Sequence, residues 1–168
     1  GINRRKLITD VTEDDFNAIV SVNMKAIYFI SQAAHPIMKA AGGGVIVNMS
    51  SLSARYSFNT ISVYAATKAA VSSITRSTAR EWAKDKIRVN AVNPATTDTP
   101  WVKRLLDQSE DAQAARVALE TRQPMGRLVS PAEIASAIIF LASPLQASVT
   151  GTAISIDGGM HSLRIPKK

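Results

Sequence analysis

The sequence contains no cysteine in its 168 residues. That excludes a disulfide framework, a thiolate metal site and a cysteine nucleophile. Long apolar runs are missing too. The longest uncharged stretch, Ile134 to Ile156, is broken by Pro144 and Gly151, and its densely apolar part ends at Ala142. That part is too short to cross a bilayer. The two histidines, His35 and His161, stand alone, without metal-ligand spacing. Residues 1–20 do not read as a basic-then-apolar leader, so a soluble, cytoplasmic protein without a membrane partner is the expectation. Zinc-finger spacing and a helix-turn-helix signal are also missing.

What is present is an ordinary globular composition, with 46% apolar and 20% charged residues. Disorder and coiled coil are poor readings of such a chain, and its length suits one domain. The charge is unbalanced, with 20 basic residues against 13 acidic ones, a net +7. Six of the cations lie near the two ends, in Arg4-Arg5-Lys6 and in Arg164 with Lys167-Lys168. The others are interleaved with Asp and Glu, so a nucleic-acid partner is not expected. An anionic small-molecule substrate is the more useful reading of the excess.

Thr12-Glu13-Asp14-Asp15 is a cap followed by acids, which suits a helix N-terminus. Phe16, Ile19, Val20, Ile27, Ile30, Ala34, Ile37, Met38 and Ala41 then recur at helical spacing and predict one long helix, ended by Gly42-Gly43-Gly44. Asn23 or Met24 falls inside that apolar stripe, and a buried amide needs a partner. Val45 to Ser50 reads as a buried strand and Ser62 to Lys84 as a helix. Ile87 to Val92 reads as a second strand, stopped by Asn93-Pro94. Trp101 to Arg122 predicts one or two amphipathic helices. Ser130-Pro131-Ala132-Glu133 is a capping box that opens a helix to about Ala142. Thr152 to Ile156 is a third strand. Strands separated by helix-length crossovers imply an α/β fold, a doubly wound parallel sheet covered on both faces.

Tyr64 and Lys68 are four residues apart and share one helix face. A tyrosine alone, with a pKa near 10, is a poor base at neutral pH, and an ammonium within reach makes it a usable acid/base. By itself the pair is a weak signal. Ser51 strengthens it, lying just past a strand on the edge where doubly wound folds bind ligands. The second strand ends at Asn93-Pro94 on the same edge.

In these segments the sequence resembles the short-chain dehydrogenase/reductase family in its single-domain, Rossmann-like form. The resemblance rests on Val22-Asn23, Val45 to Ser51, Tyr64-Ala65-Ala66-Thr67-Lys68, Val89 to Pro94, and Val149-Thr150-Gly151 through Asp157-Gly158-Gly159, in the family's order and spacing. It implies an oxidoreductase using NAD or NADP to interconvert a secondary alcohol and a ketone. By the same resemblance Tyr64 is the general acid/base, Lys68 tunes it and binds the nicotinamide ribose, and Ser51 orients the substrate oxygen. Asn23 holds a water in a proton relay, and Pro94, Thr97 and Thr99 cradle the nicotinamide. Ala95 departs from the glycine usual after the proline.

The resemblance also identifies an absence. The family's glycine-rich turn, which holds the cofactor pyrophosphate, has no counterpart in the sequence. Gly1 resembles the last residue of the family's Asn-Asn-Ala-Gly motif. The expectation is therefore the carboxyl-terminal two-thirds of a single-domain enzyme, with roughly 80–100 residues and the first four strands preceding Gly1. A truncated, non-catalytic relative serving as a binding subunit is the alternative.

Thr97 to Val129 lies where the family places its variable substrate loop. Its pattern is most similar to members acting on small hydroxy acids and sugar acids. Candidate substrate residues are Arg122 and then Arg55 as a carboxylate clamp, with Trp101 lining the pocket. Family relatives form homo-dimers or homo-tetramers through the two long helices, and the same assembly is expected here.

Overall fold

Three strands built from β-branched runs form a wholly parallel sheet in the order β1-β2-β3: β1 (Gly44–Met49), β2 (Ile87–Pro94) and β3 (Ala153–Ile156). The computed structural model describes residues 1–163. Arg164, Lys167 and Lys168 of the basic carboxyl end lie outside the described residues. Helices α1 (Glu13–Val20), α2 (Ala26–Ala40), α3 (Ser62–Trp82), α4 (Pro100–Asp107), α5 (Ala112–Glu120) and α6 (Pro131–Ala142) supply the crossovers. The α/β architecture with a parallel sheet agrees with the sequence reading.

The period-2 alternation of the strands sorts side chains to two faces. Ile46, Ile87 and Val89 pack with Met38, Ala79 and Trp82 of α2 and α3. Val47, Val92, Ile154 and Ile156 pack against Ile134 and Leu141 of α6. A satellite cluster of Val102, Leu106 and Leu128 joins α4 to α5 through Ala115 and Leu119. That cluster stands over the carboxyl ends of the strands and forms one wall of the cleft described below.

Two expectations need correction. The first long helix is interrupted by a π-helical turn, Ser21–Lys25. The cause is Asn23, whose amide is 1% exposed and bonded away from the helix, so the ladder bulges to let it reach its partners. Strand β2 does not stop before Asn93-Pro94. It runs through both, because Asn93 and Pro94 register with Ser155 and Ile156 of β3, and the chain resumes donating with Ala95 N–H to the Ile156 carbonyl at 3.1 Å. Gly43, between α2 and β1, has a φ of +139°. An added Cβ there would stand 2.7 Å from the Lys86 carbonyl oxygen, so the turn requires glycine.

Arg88 ties α6 to the sheet. Its guanidinium donates to the carbonyls of Leu141 at 2.8 Å, Val149 at 3.0 Å and Ser143 at 3.0 Å, satisfying the end of the helix and the loop beyond it. Replacement by Met leaves these acceptors without their charged donor, and a loss of about 2 kcal/mol is expected in denaturant unfolding. A change below about 0.5 kcal/mol would show that solvent replaces the guanidinium without cost.

Both helix-opening capping boxes close through acids. Asp15 of α1 is held below the usual carboxylate range, first by Lys6 and then by the Thr12 hydroxyl and N–H. Glu133 of α6 is lowered to about 2 by the two-pronged contact of Arg127, aided by Ser130 N–H. A carboxylate lowered in the folded state adds stability above its unfolded pKa and loses it as pH falls through the folded value. The melting temperature should therefore drop from about pH 4.5 down to about 2, where Glu133 takes up its proton. In a pH series of thermal melts, the Glu133→Gln variant should show a shallower decline.

Candidate active site

The carboxyl ends of β1 and β2 open into a cleft of about 600 Å³. Its position follows from the topology, because loops leaving parallel strands meet at that edge. Ser51, two residues past β1, caps a 3-10 turn, Leu52–Ala54, by accepting from Ser53 N–H at 3.1 Å. Tyr64, in the first turn of α3, is half-buried and lines the cleft beside Ser51. Burial raises the Tyr64 phenol above its ordinary pKa, and a hydrogen bond with the Ser51 hydroxyl opposes part of that rise.

Lys68, one turn further on, is 4% exposed. Its ammonium donates to the Met49 carbonyl at 2.9 Å and stands 5.6 Å from the centre of the Tyr64 ring. Desolvation lowers its pKa. Burial, not the ammonium, thus dominates the titration of Tyr64, and the phenol stays protonated across the neutral range.

Asn23 sits against the same helix. Its Oδ1 accepts from Ile2 N–H at 2.7 Å, and its Nδ2 donates to the Ile2 carbonyl at 2.8 Å and to the Thr67 hydroxyl at 3.4 Å. The amide is therefore matched to a backbone, and it pins residues 1–2 beside Lys68. An added Cβ on Gly1 would stand 2.5 Å from Asn23 Oδ1 and 3.5 Å from Lys68 Nζ, so the chain passes there because it has no side chain.

Pro94, Thr97 and Thr99 line the cleft on the β2 side. Thr97 donates to the Ala95 carbonyl at 3.1 Å and bridges to Val129. Thr99 caps α4 by accepting from Val102 N–H at 3.4 Å, which leaves its hydroxyl proton available to a ligand. Trp101 and Arg122 also line the cleft. Arg55 does not. It follows the Leu52–Ala54 turn, is exposed, and is not among the residues bounding the cleft. The cation that lines it instead is Arg5, set apart in sequence and brought over by the Asn23–Ile2 pairing and by Lys6 N–H donating to the Thr60 carbonyl at 3.1 Å.

The cleft's described lining contains Arg5 and Arg122 but no Asp or Glu, and neither arginine has a carboxylate partner among the described residues. Phe58, Ile61, Trp101, Leu105 and Leu119 add apolar walls. The arrangement places a hydroxyl pair, Ser51 and Tyr64, in one cleft with positive charge nearby.

Comparison with known proteins agrees with this geometry. The family profile described as enoyl-(acyl carrier protein) reductase, of the short-chain dehydrogenase type, matches residues 1–161. A tropinone reductase homologue of Arabidopsis thaliana is 42% identical over 95% of the chain and 51% of its own length, and a second is 39% identical over 95% and 58%. The chain thus spans about half the length of the curated relatives it matches. Among solved structures, a gluconate 5-dehydrogenase from Burkholderia cenocepacia in complex with NADP and tartrate superposes with a TM-score of 0.90 at 34% identity, over 98% of this chain and 63% of that one. The ligand-free aldohexose dehydrogenase of Thermoplasma acidophilum gives 0.90 at 32%, over 99% and 68%. The parallel sheet, the hydroxyl pair at its carboxyl edge and these matches together place the chain in the short-chain dehydrogenase/reductase family of oxidoreductases.

Proposed function

We propose that the protein is an NAD(P)-dependent oxidoreductase interconverting a secondary alcohol and a ketone on a small, carboxylate-bearing substrate, a hydroxy acid or a sugar acid. The observation that carries this reading is the Ser51–Tyr64 hydroxyl pair in a cleft lined by two arginines and no acid. The NADP-bound relatives support the cofactor class. So does the fit of the residues: the donor left on Thr99, at the edge of the cleft, suits the nicotinamide end of a dinucleotide. Lys68, Pro94 and Thr97 complete that side.

A bound nicotinamide supplies or takes up the hydride. The chain's own residues do the rest. Ser51 donates to the substrate oxygen and fixes its position. Tyr64 gives that oxygen a proton during reduction, a task suited to a phenol that burial keeps protonated. Lys68 keeps a positive charge one turn away, and the proton that Tyr64 gives up is replaced from solvent. Asn23, whose amide is committed to Ile2 and Thr67, acts by holding the π turn and residues 1–2 beside Lys68.

The adenosine half of the cofactor site has no counterpart in the sequence. The proposed setting is cytoplasmic; none of the described helices is long and apolar enough to cross a membrane. Assembly as a homo-dimer or homo-tetramer through α2 and α3 is supported by exposed Phe29, Ile30 and Ile37 on α2.

An amine ketone of the tropinone kind is less favoured, because an ammonium would meet Arg5 and Arg122 with no acid to balance it. The test is nicotinamide absorbance against matched keto acids, neutral ketones and amino ketones. The keto acids should react fastest. Equal rates would remove the acid preference, and absence of both dinucleotide binding and turnover would overturn the enzyme reading.

A further inference from the structure

Gln123 lies in the turn between α5 and α6 and is 1% exposed, among the most deeply buried side chains in the protein. It belongs to no apolar stripe and takes no part in the chemistry proposed above. Its Nε2 donates to the Thr96 carbonyl at 3.1 Å. Thr96 sits in the segment between Pro94 and Thr99 that forms one side of the cleft, and its carbonyl also accepts from Val129 N–H at 3.1 Å. Both lone pairs of that oxygen are therefore taken, one by the backbone bridge and one by Gln123.

The other end of the Gln123 side chain packs on the turn after β3. An added Cβ on Gly158, whose φ is +59°, would stand 3.0 Å from Gln123 Oε1. Met125 N–H donates to the Gly158 carbonyl at 3.1 Å and holds that turn against the loop. Oε1 itself meets no protein donor among the described residues. The amide thus makes one protein bond, and that bond is to the cleft wall.

The geometry points to Gln123 as a positioning residue that sets the backbone of Ala95 to Thr97 for the nicotinamide end of the cofactor. Gln123 is not among the residues lining the cleft, and it acts through the Thr96 carbonyl. This rests on the oxidoreductase reading for its ligand, but not for its structural effect. The side chain bridges the β3 turn, the substrate loop and the wall of the cleft. A change in substrate-loop position is therefore transmitted to the residues that face the cofactor.

The test uses two near-isosteric variants in the intact protein. Gln123→Met keeps the volume, removes the donor and removes an acceptor that no protein donor meets. Gln123→Glu keeps the shape and can donate to the Thr96 carbonyl only while its carboxyl is protonated, the form that burial favours. Amide hydrogen exchange of residues 95–99, the dinucleotide dissociation constant, KM, kcat and melting temperature are measured for each.

In Gln123→Met residues 95–99 should exchange about tenfold faster than in the wild type at the same pH, an opening worth about 1.4 kcal/mol, and Gln123→Glu should follow it as its carboxyl ionises. The dissociation constant and KM for the dinucleotide should rise by a similar factor, with kcat within about twofold and the Gln123→Met melting temperature unchanged or higher. Unchanged exchange at 95–99 in both variants would overturn the inference. So would a melting temperature and kcat that fall together while KM holds, which is the signature of a merely structural residue. Gln123→Glu exchanging as fast as Gln123→Met at a pH where its carboxyl is protonated would assign the effect to something other than the donor, again overturning it. If the wild type neither binds dinucleotide nor turns over ketones, the functional reading fails, and the exchange at 95–99 still decides whether Gln123 holds the cleft wall.

Discussion

Replacing Tyr64 with Phe is expected to cut turnover by at least about a thousandfold while dinucleotide affinity stays within about twofold. The substitution removes one oxygen and keeps the ring, so packing around the first turn of α3 is retained. What is lost is the acid next to Ser51, and positioned proton transfer contributes about 10²–10⁴ to rate. Ser51 alone orients a carbonyl oxygen, but its hydroxyl is a far weaker acid than a phenol. Steady-state kinetics with a keto acid, together with a dinucleotide titration, check the prediction. Turnover within tenfold of wild type would move the acid role away from Tyr64.

The same residue gives the direction of the pH profile. Burial raises the Tyr64 pKa above its ordinary 10, so in the reduction direction its protonated form persists through the neutral range and is lost only on the alkaline side. Alcohol oxidation, which needs a proton acceptor, should climb with pH over that same range. A lysine that merely filled space would be neutral in its effect. Lys68 is buried with its own pKa lowered, and its ammonium is directed at the Met49 carbonyl. Its proposed part is to keep positive charge behind the phenol, one turn away.

The architecture was legible because it is written in short-range patterns. The runs at Val45 to Ser50 and Ile87 to Val92 are rich in β-branched residues, and helices pack on both faces of the sheet they form. Asn23 stood out as an amide inside an apolar stripe, and its two bonds to Ile2 explain why it is there. The bulge it forces was not legible, because a π turn leaves the hydrophobic period almost intact over so few residues. Nor was the length of β2. Proline ends most strands, but Pro94 lies at the end of a parallel pairing where no N–H of its own is needed.

The site separated into two kinds of residue. Ser51, Tyr64, Pro94, Thr97 and Thr99 hang directly on strand ends and helix starts, so a motif places them. Arg5, Arg55 and Gln123 depend on loops. Arg55 is near Ser51 in sequence and does not line the cleft, whereas Arg5 is 46 positions from Ser51 and lines it. The bonds that bring it there, Asn23 to Ile2 and Lys6 to Thr60, link segments tens of residues apart. Periodicity carries no information about such bonds. A buried glutamine in a proline-containing loop leaves even less trace, because loops are expected to be polar.

Arg5 and Arg122 carry the second large expectation. Each should act on substrate affinity and not on chemistry, since both stand in the cleft wall and the proposed handling of the reacting oxygen falls to Ser51 and Tyr64. Charge-assisted bonds to a carboxylate are worth about 1.5–3 kcal/mol each. Both side chains are exposed in this state, so solvent screening pushes each toward the lower end. Arg122→Ala or Arg5→Ala alone should raise KM for a keto acid about tenfold, and the double variant about a hundredfold, with kcat within threefold. KM for a matched neutral ketone should hardly move, and an amino ketone should bind the double variant better than the wild type. The comparison between acid and neutral ketone decides the outcome, because a variant that only loosened the loop would raise both values together. Equal increases for the two would discard the clamp. A shift for Arg122 alone would leave Arg5 as a charge that draws anions toward the cleft without touching them, and its effect would then vanish at high salt.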